Sequence, residues 1–380
     1  MEFTYCKLID VLSDIHSGGT PSTEESSYWG GNIKWLSSGE TSQRFISDTV
    51  DKITEEGVKN SSTKLAKKNN IVMACAGQGK TRGQTSYLLD DMYINQSVIA
   101  LETKTSVLPL YLFYDLSSRY EELRGGSDAS STRGSITTTA LKNLPFKYPD
   151  LSTQQSIVDI LFGYDSLIEA NNRRIELLEQ AAQELYREWF VRFRFPGYED
   201  VKFENSLPEG WERNKIQKYY NTCSGGTPSR SKPEYFENGV YPWVKTGEIK
   251  DCVIIDTEEY ITQEAVNNSS AKVLPAKSVA MAMYGVNIGL LAYFDSEMTC
   301  NQACCVFSDK RDFSSKHYLY YYLKSIREYL LLISFGAAQQ NLSQDLIKKL
   351  KITMPSDDVV QAFEKQVDDI YGNIRMLLLR

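Results

Sequence analysis

The chain repeats itself, and that limits its fold more than any other feature. Gly18-Gly19-Thr20-Pro21-Ser22 returns about 207 residues later as Gly225-Gly226-Thr227-Pro228-Ser229, each copy followed by an aromatic pair, Tyr28-Trp29 and Tyr235-Phe236. Trp35 with Gly39-Glu40 returns as Trp243 with Gly247-Glu248, and Asn60-Ser61-Ser62 as Asn268-Ser269-Ser270. Farther on, Asn95-Gln96 matches Asn301-Gln302, and Lys142, Leu144 and Pro149 match Lys348, Leu350 and Pro355. So many matches in one order mean two homologous modules, 1–149 and 197–355, each long enough to bury its own core.

The segments after the modules differ in kind. From Ile157, apolar positions run Leu161, Tyr164, Ile168, Asn171, Ile175, Leu178, Ala182, Leu185, Trp189, in alternating steps of three and four, with a stop at Pro196-Gly197. This is a heptad seam, and its one polar member, Asn171, is of the kind that fixes register at a cost in stability. The rhythm returns in Val360, Phe363, Val367, Ile370, Ile374 and Leu377. Two such helices, 150–196 and 356–380, can bury each other as an antiparallel coiled-coil spacer. At 1.5 Å per residue the first spans roughly 50 Å. The expected fold class is α+β: two mixed α/β modules separated by two long helices.

With 42% apolar and 24% charged residues the chain has the composition of a soluble globular protein. It contains no run of about 18 apolar residues and no export signal at its start, so cytoplasm is the expected compartment and no membrane is expected as partner. Seven cysteines form no Cys-x-x-Cys pair, and only His16 and His317 could join them, so no metal site is expected. A net charge of −7 argues against a free-standing nucleic-acid binder, because DNA affinity comes largely from neutralising phosphates.

Within the modules, 70–76, 98–102 and 278–282 read as strands, and 111–124 and 317–332 as helices. The loops between them are rich in Gly, Ser, Thr, Asn, Gln and aromatics, side chains that can read base edges. Three features invite an enzymatic reading. Gly77-Gln78-Gly79-Lys80-Thr81 resembles the end of a phosphate-binding loop, but Ala74 stands where the first Gly belongs and no helix pattern follows at once. Asp91, Glu102 and Lys104 are spaced as in metal-dependent nucleases, but Ser308 aligns with Glu102 in the second copy. A methyltransferase would carry Asn-Pro-Pro-aromatic and a Gly-rich cofactor loop, and neither occurs. An autonomous nuclease or nucleotide-driven enzyme using Lys80 or Glu102 is the alternative; the sequence reads better as a binder without cofactor or catalytic residues.

The Gly-Gly-Thr-Pro-Ser turn, the Trp with Gly-Glu after it, Gly77 to Gly83, Asn95-Gln96, and the helix from Leu177 through Trp189-Phe190 to Pro196-Gly197 together resemble the specificity subunit of type I restriction-modification systems. The resemblance covers essentially the whole chain. It implies that each module is a target recognition domain reading one half of a split asymmetric DNA sequence. It further implies that the helices hold methyltransferase subunits, that a restriction subunit joins through the complex, and that this chain is not itself an enzyme. Partners would then supply much of the phosphate contact. One departure is that the C-terminal helix stops at Arg380, short of the match for Tyr186 to Trp189.

The Gly77–Gly83 loop and its counterpart Gly285–Gly289, two residues shorter, are where target choice is expected to lie. Candidate DNA contacts there are Gln78, Lys80, Thr81, Arg82 and Gln84, with Tyr284 and Asn287 in the second copy. Polar residues before the last strand of each module join them: Ser131, Thr132, Arg133, and Gln339, Gln340, Asn341. The repeated motifs add Thr20, Ser22 and Glu40, and Thr227, Ser229, Arg230, Lys245 and Glu248.

Overall fold

The computed structural model describes residues 2–77, 79–128, 134–335 and 341–379. They form two compact units, residues 1–168 and 169–380.

In the first unit a five-stranded sheet runs in the order Leu12–Ser17, Val98–Thr103, Ile71–Ala74, Thr85–Leu88, Phe45–Ile46. Its middle strand, Ile71–Ala74, is apolar at every position because both faces are covered. Ile71, Met73, Ile99 and Leu101 pack toward Leu112, Phe113 and Leu116 of the helix Pro109–Ser118. Val72, Val98 and Ala100 pack on the other side with Leu36 and Ile94 of a four-stranded sheet, ordered Asp51–Ile53, Trp29–Leu36, Met92–Ile94, Lys64–Ala66. A two-stranded ribbon, Thr4–Lys7 with Pro145–Tyr148, closes the unit.

The second unit repeats the strand order of the large sheet: Tyr220–Ser224, Cys304–Asp309, Val279–Ala282, Leu291–Phe294, Cys252–Ile254. Even the edge is reproduced, for Cys252–Ile254 pairs parallel to its neighbour as Phe45–Ile46 does. The smaller sheet has three strands here, and a single bridge, Leu274 to Met298, stands in place of the fourth. Glu212–Lys215 pairs with Lys351–Met354 as the closing ribbon.

The helices expected over 111–124 and 317–332 are each broken in two. Pro109–Ser118 ends at Arg119 before Tyr120–Asp128, and Lys316–Ser325 ends at Ile326 before Arg327–Phe335. Apolar spacing does not register such a break, because both halves still turn an apolar face inward.

One helix of 36 residues, Leu151–Tyr186, carries the heptad seam as far as Leu185, and its last member, Trp189, lies in the π-helical turn Arg187–Val191 that follows. Asp150 caps it, its carboxylate accepting the Thr153 backbone N–H at 3.0 Å. Within the second unit the later part of this helix packs against the C-terminal helix Asp357–Leu378. Tyr186 and Trp189 lie 6.3 and 5.8 Å from the ring of Phe363. Arg174 and Leu178 face Asn373 and Leu377 across a cavity of about 510 Å³. Low numbers on one helix meet high numbers on the other, so the pair is antiparallel. The seam is not uniformly buried, however. Asn171, Ala182 and Trp189 are covered, while Leu161, Tyr164 and Ile168 are exposed to solvent.

Candidate nucleic-acid interface

The most repeated residues build a clasp. Gly18 and Gly225 sit so close to neighbouring backbone that a Cβ would lie 1.8 Å from the Ile94 carbonyl oxygen in one unit and 1.9 Å from that of Cys300 in the other. Only glycine fits there. The indole N–H of Trp35 donates to the Gly19 carbonyl at 3.2 Å, and that of Trp243 to Gly226 at 3.0 Å. Thr20 donates its hydroxyl to Gln96, and Thr227 does the same to Gln302. Asn95 and Asn301 each fold a local turn by accepting a backbone N–H two residues on.

Glu40 and Glu248 are likewise occupied within the fold. Glu40 is buried and accepts the backbone N–H groups of Ser37 at 3.0 Å and Val50 at 2.8 Å. Glu248 accepts those of Lys245 at 2.8 Å and Glu258 at 3.0 Å. Lys245 pairs with Glu258 and Glu259, holding its ammonium above the usual lysine range. Arg230 also pairs with Glu259 and lies over the rings of Phe236 and Trp243. Ser22 and Ser229 are exposed, with the Ser229 hydroxyl on that of Ser231.

The variable loops leave the large sheets at matching points. In the first unit the Gly83 N–H donates to the Ala74 carbonyl at 2.9 Å, and in the second Gly289 donates to Ala282 at the same distance. Both loops join antiparallel strands, so the sequence around Lys80 lacks the strand-to-helix frame of a phosphate-binding loop. Lys80 is exposed; its carbonyl takes a hydrogen bond from the Tyr120 hydroxyl at 2.9 Å. A shallow cavity of about 290 Å³ is lined by Lys80, Gln84, Thr41, Arg44 and Tyr120. Thr81 is half-buried. Arg44 is held by a bidentate pair with Asp165, both contacts at 3.0 Å. Arg82 turns inward and donates to the Gly134 carbonyl at 2.8 Å.

In the second loop Asn287 also turns inward, donating to the carbonyls of Thr246 at 2.8 Å and Ile249 at 3.1 Å. Tyr284 and Val286 are exposed at the tip, Val286 completely. Sequence reading passed over Val286 because an apolar residue carries no hydrogen-bonding signal. Asn341 is half-buried next to Leu342, whose N–H donates to Met283 at 3.0 Å. Gln78, Ser131, Thr132, Arg133, Gln339 and Gln340 lie outside the described residues.

The residues considered for catalysis each have a partner within the fold. Asp91 accepts the Lys68 backbone N–H at 2.7 Å, Glu102 pairs with Lys67 at 3.2 Å, and Lys104 donates to the Asp10 carbonyl. Among the described residues no three His, Cys, Asp or Glu side chains are grouped to hold a metal ion, and no helix is long and apolar enough to cross a membrane.

Two units with one clasp and divergent loops define a duplicated recognition scaffold, and the comparisons agree. The chain belongs to the type I restriction modification DNA specificity domain family, whose model matches it twice, over residues 2–180 and 208–368. It is 26% identical over 383 residues to the type I restriction enzyme MjaIX specificity subunit of Methanocaldococcus jannaschii, covering 97% of this chain and 87% of that one. It is 25% identical over 416 residues to the HindI specificity subunit of Haemophilus influenzae, covering 90% and 88%. The fold is similar to the crystal structure of a type I restriction-modification S subunit from M. genitalium, with a TM-score of 0.59 at 14% identity, covering all of this chain and 94% of that one.

Proposed function

We propose that the chain is the non-catalytic DNA-recognition subunit of a type I restriction-modification complex, each recognition domain, 1–149 and 197–355, reading one half of a bipartite target in duplex DNA. Methyltransferase subunits, bound through the long helices, and a restriction subunit joined through the complex carry the chemistry. The cytoplasm is where such a complex meets its DNA. The observation that carries this reading is the contrast between units: clasp and strand order are the same, while loops closed by the same hydrogen bond differ in length and side chains. Elements that vary on a constant frame are where specificity resides.

Lys80, Thr81 and Gln84 in the first unit and Tyr284, Val286 and Asn341 in the second are the side chains best placed to reach DNA. Ser22 and Ser229 can add phosphate contacts from the exposed turns. Arg82 and Asn287 act by holding loop shape. Thr20, Thr227, Glu40, Glu248, Lys245 and Arg230 support the platform beneath. Sequencing the methylome of cells expressing this chain with its methyltransferase partner tests the reading. A split, asymmetric methylated site is expected, and an exchange of residues 283–288 for the six-residue loop of a relative should alter one half only. Methylation without a split site, or no change in either half, would overturn it.

A further inference from the structure

The second unit carries a groove that the first unit has filled. Its volume is about 630 Å³; its floor is Ile326, Ile333 and Leu346, its wall Tyr329, and its rim Arg213, Lys349 and Lys351. The three cations are exposed and none is in an ion pair among the described residues, nor does any carboxylate line the groove. At the equivalent place in the first unit, Arg119 occupies the break between helices that Ile326 occupies here. Arg119 donates to the Pro145 carbonyl at 2.8 Å and pairs with Glu122 at 2.7 Å and Asp115 at 3.4 Å. Tyr329 stands in the place of Glu122, Tyr322 in that of Asp115, and Lys351 in that of Pro145. A neutralised, filled site has become an apolar basin ringed by positive charge.

We propose that this groove docks a protein segment in which acidic residues alternate with large apolar ones. The floor removes apolar side chains from water at roughly 25 cal/mol per Å² buried, which a phosphate backbone cannot exploit. The rim supplies three exposed cations with no ion-pair partner among the described residues, which favours an incoming carboxylate, and Arg213 can hold one bidentately. Duplex DNA presents convex, evenly charged ridges with nothing apolar to fill a concave floor. The inference is independent of which loops read DNA.

The test uses the full chain and an array of 12-residue peptides of defined sequence. Peptides retained by the native chain and lost by the Arg213→Glu, Lys349→Glu, Lys351→Glu variant should combine Asp or Glu with Leu, Ile or Phe. The best of them should lose at least tenfold in affinity by fluorescence anisotropy. Ile326→Arg with Tyr329→Glu, which copies the Arg119–Glu122 pair of the first unit, should remove the same set; if that pair fails to fold, the three exposed charge reversals decide alone. No differential peptides, or a lost set without carboxylates, overturns the proposal. So does a fall of about 2 to 3 in the salt dependence of duplex DNA binding by the charge variant, which would make the three cations phosphate ligands.

Discussion

The guanidinium of Arg82 donates to the Gly134 carbonyl at 2.8 Å, and a Cβ on Gly134 would fall 1.9 Å from that same nitrogen. Gly134 also has φ +47°, which favours glycine over other residues. Arg82 thus links the variable loop to the segment before the helix Thr138–Lys142.

Lys80 and Arg82 should separate cleanly in binding experiments. Lys80→Ala is expected to lower the salt slope of duplex binding by about 1 without changing the preferred site. Arg82→Ala should leave the slope unchanged and weaken the specific site by about tenfold through loop disorder. Salt titrations on specific and random duplexes measure both, and equal slopes for Lys80→Ala and the native chain would remove Lys80 from the interface.

Phe363 is fully buried, with its ring 4.8 Å from Phe190 and 5.8 Å from Trp189. Phe363→Ala should cost about 3–5 kcal/mol. That corresponds to a fall of about 10 °C in the melting of the second unit. A change below 1 kcal/mol in denaturant titration would mean that the C-terminal helix is not part of that core.

Glu364 accepts the backbone N–H groups of His317 and Tyr318 at 3.3 and 2.9 Å, while burial pushes its carboxyl up to about 8. Burial also pushes His317 down to about 4, opposed by Asp368 at 3.0 Å, which Lys316 contacts as well. An acid whose folded pKa is raised contributes stability below its unfolded value of 4.5 and loses it as pH rises through about 8. The depressed histidine acts oppositely: stability present above its unfolded value of 6.5 is lost as pH falls toward 4. The pair should give a maximum between the two unfolded values. Glu364→Gln should flatten the alkaline side, so the melting temperatures at pH 6.5 and 8.5 draw together; an unaltered difference would count against Glu364 as its source.

The stretch from Ile160 to Ile168 exposes Ile160, Leu161, Tyr164 and Leu167, whereas Gln180 lies in the part of the helix that pairs with the C-terminal helix. Four residues inserted after Gly163 would lengthen the helix by roughly 6 Å and turn it about 40° beyond a full turn. If the helix sets the distance between half-sites, the methylated target should keep both halves and gain one or two base pairs between them. An unchanged gap in an active complex would assign spacing to the partner subunits.

Duplication and the long helix were legible in the sequence because repeat and heptad are one-dimensional signals that local chemistry alone enforces. The break at Arg119 and Ile326 was not, because it depends on the ribbon at Pro145 and Lys351 against which each break packs. Orientation within the loops was equally hidden. Arg82 and Asn287 have the donors expected of base readers, but their acceptors are carbonyls 52 and about 40 residues away, a pairing only the folded chain brings about. The outermost position, Val286, carried no signal at all.

The hydrogen bonds from Gly83 to Ala74 and from Gly289 to Ala282 tie each variable loop off at its base, so that its ends stay put whatever lies between them. Eight residues fill one and six the other, on strands paired alike. Such a loop behaves as an exchangeable cassette. Under the proposed function, recombination or drift inside it would give the complex a new half-site in one event while the sheet and the clasp carry over intact.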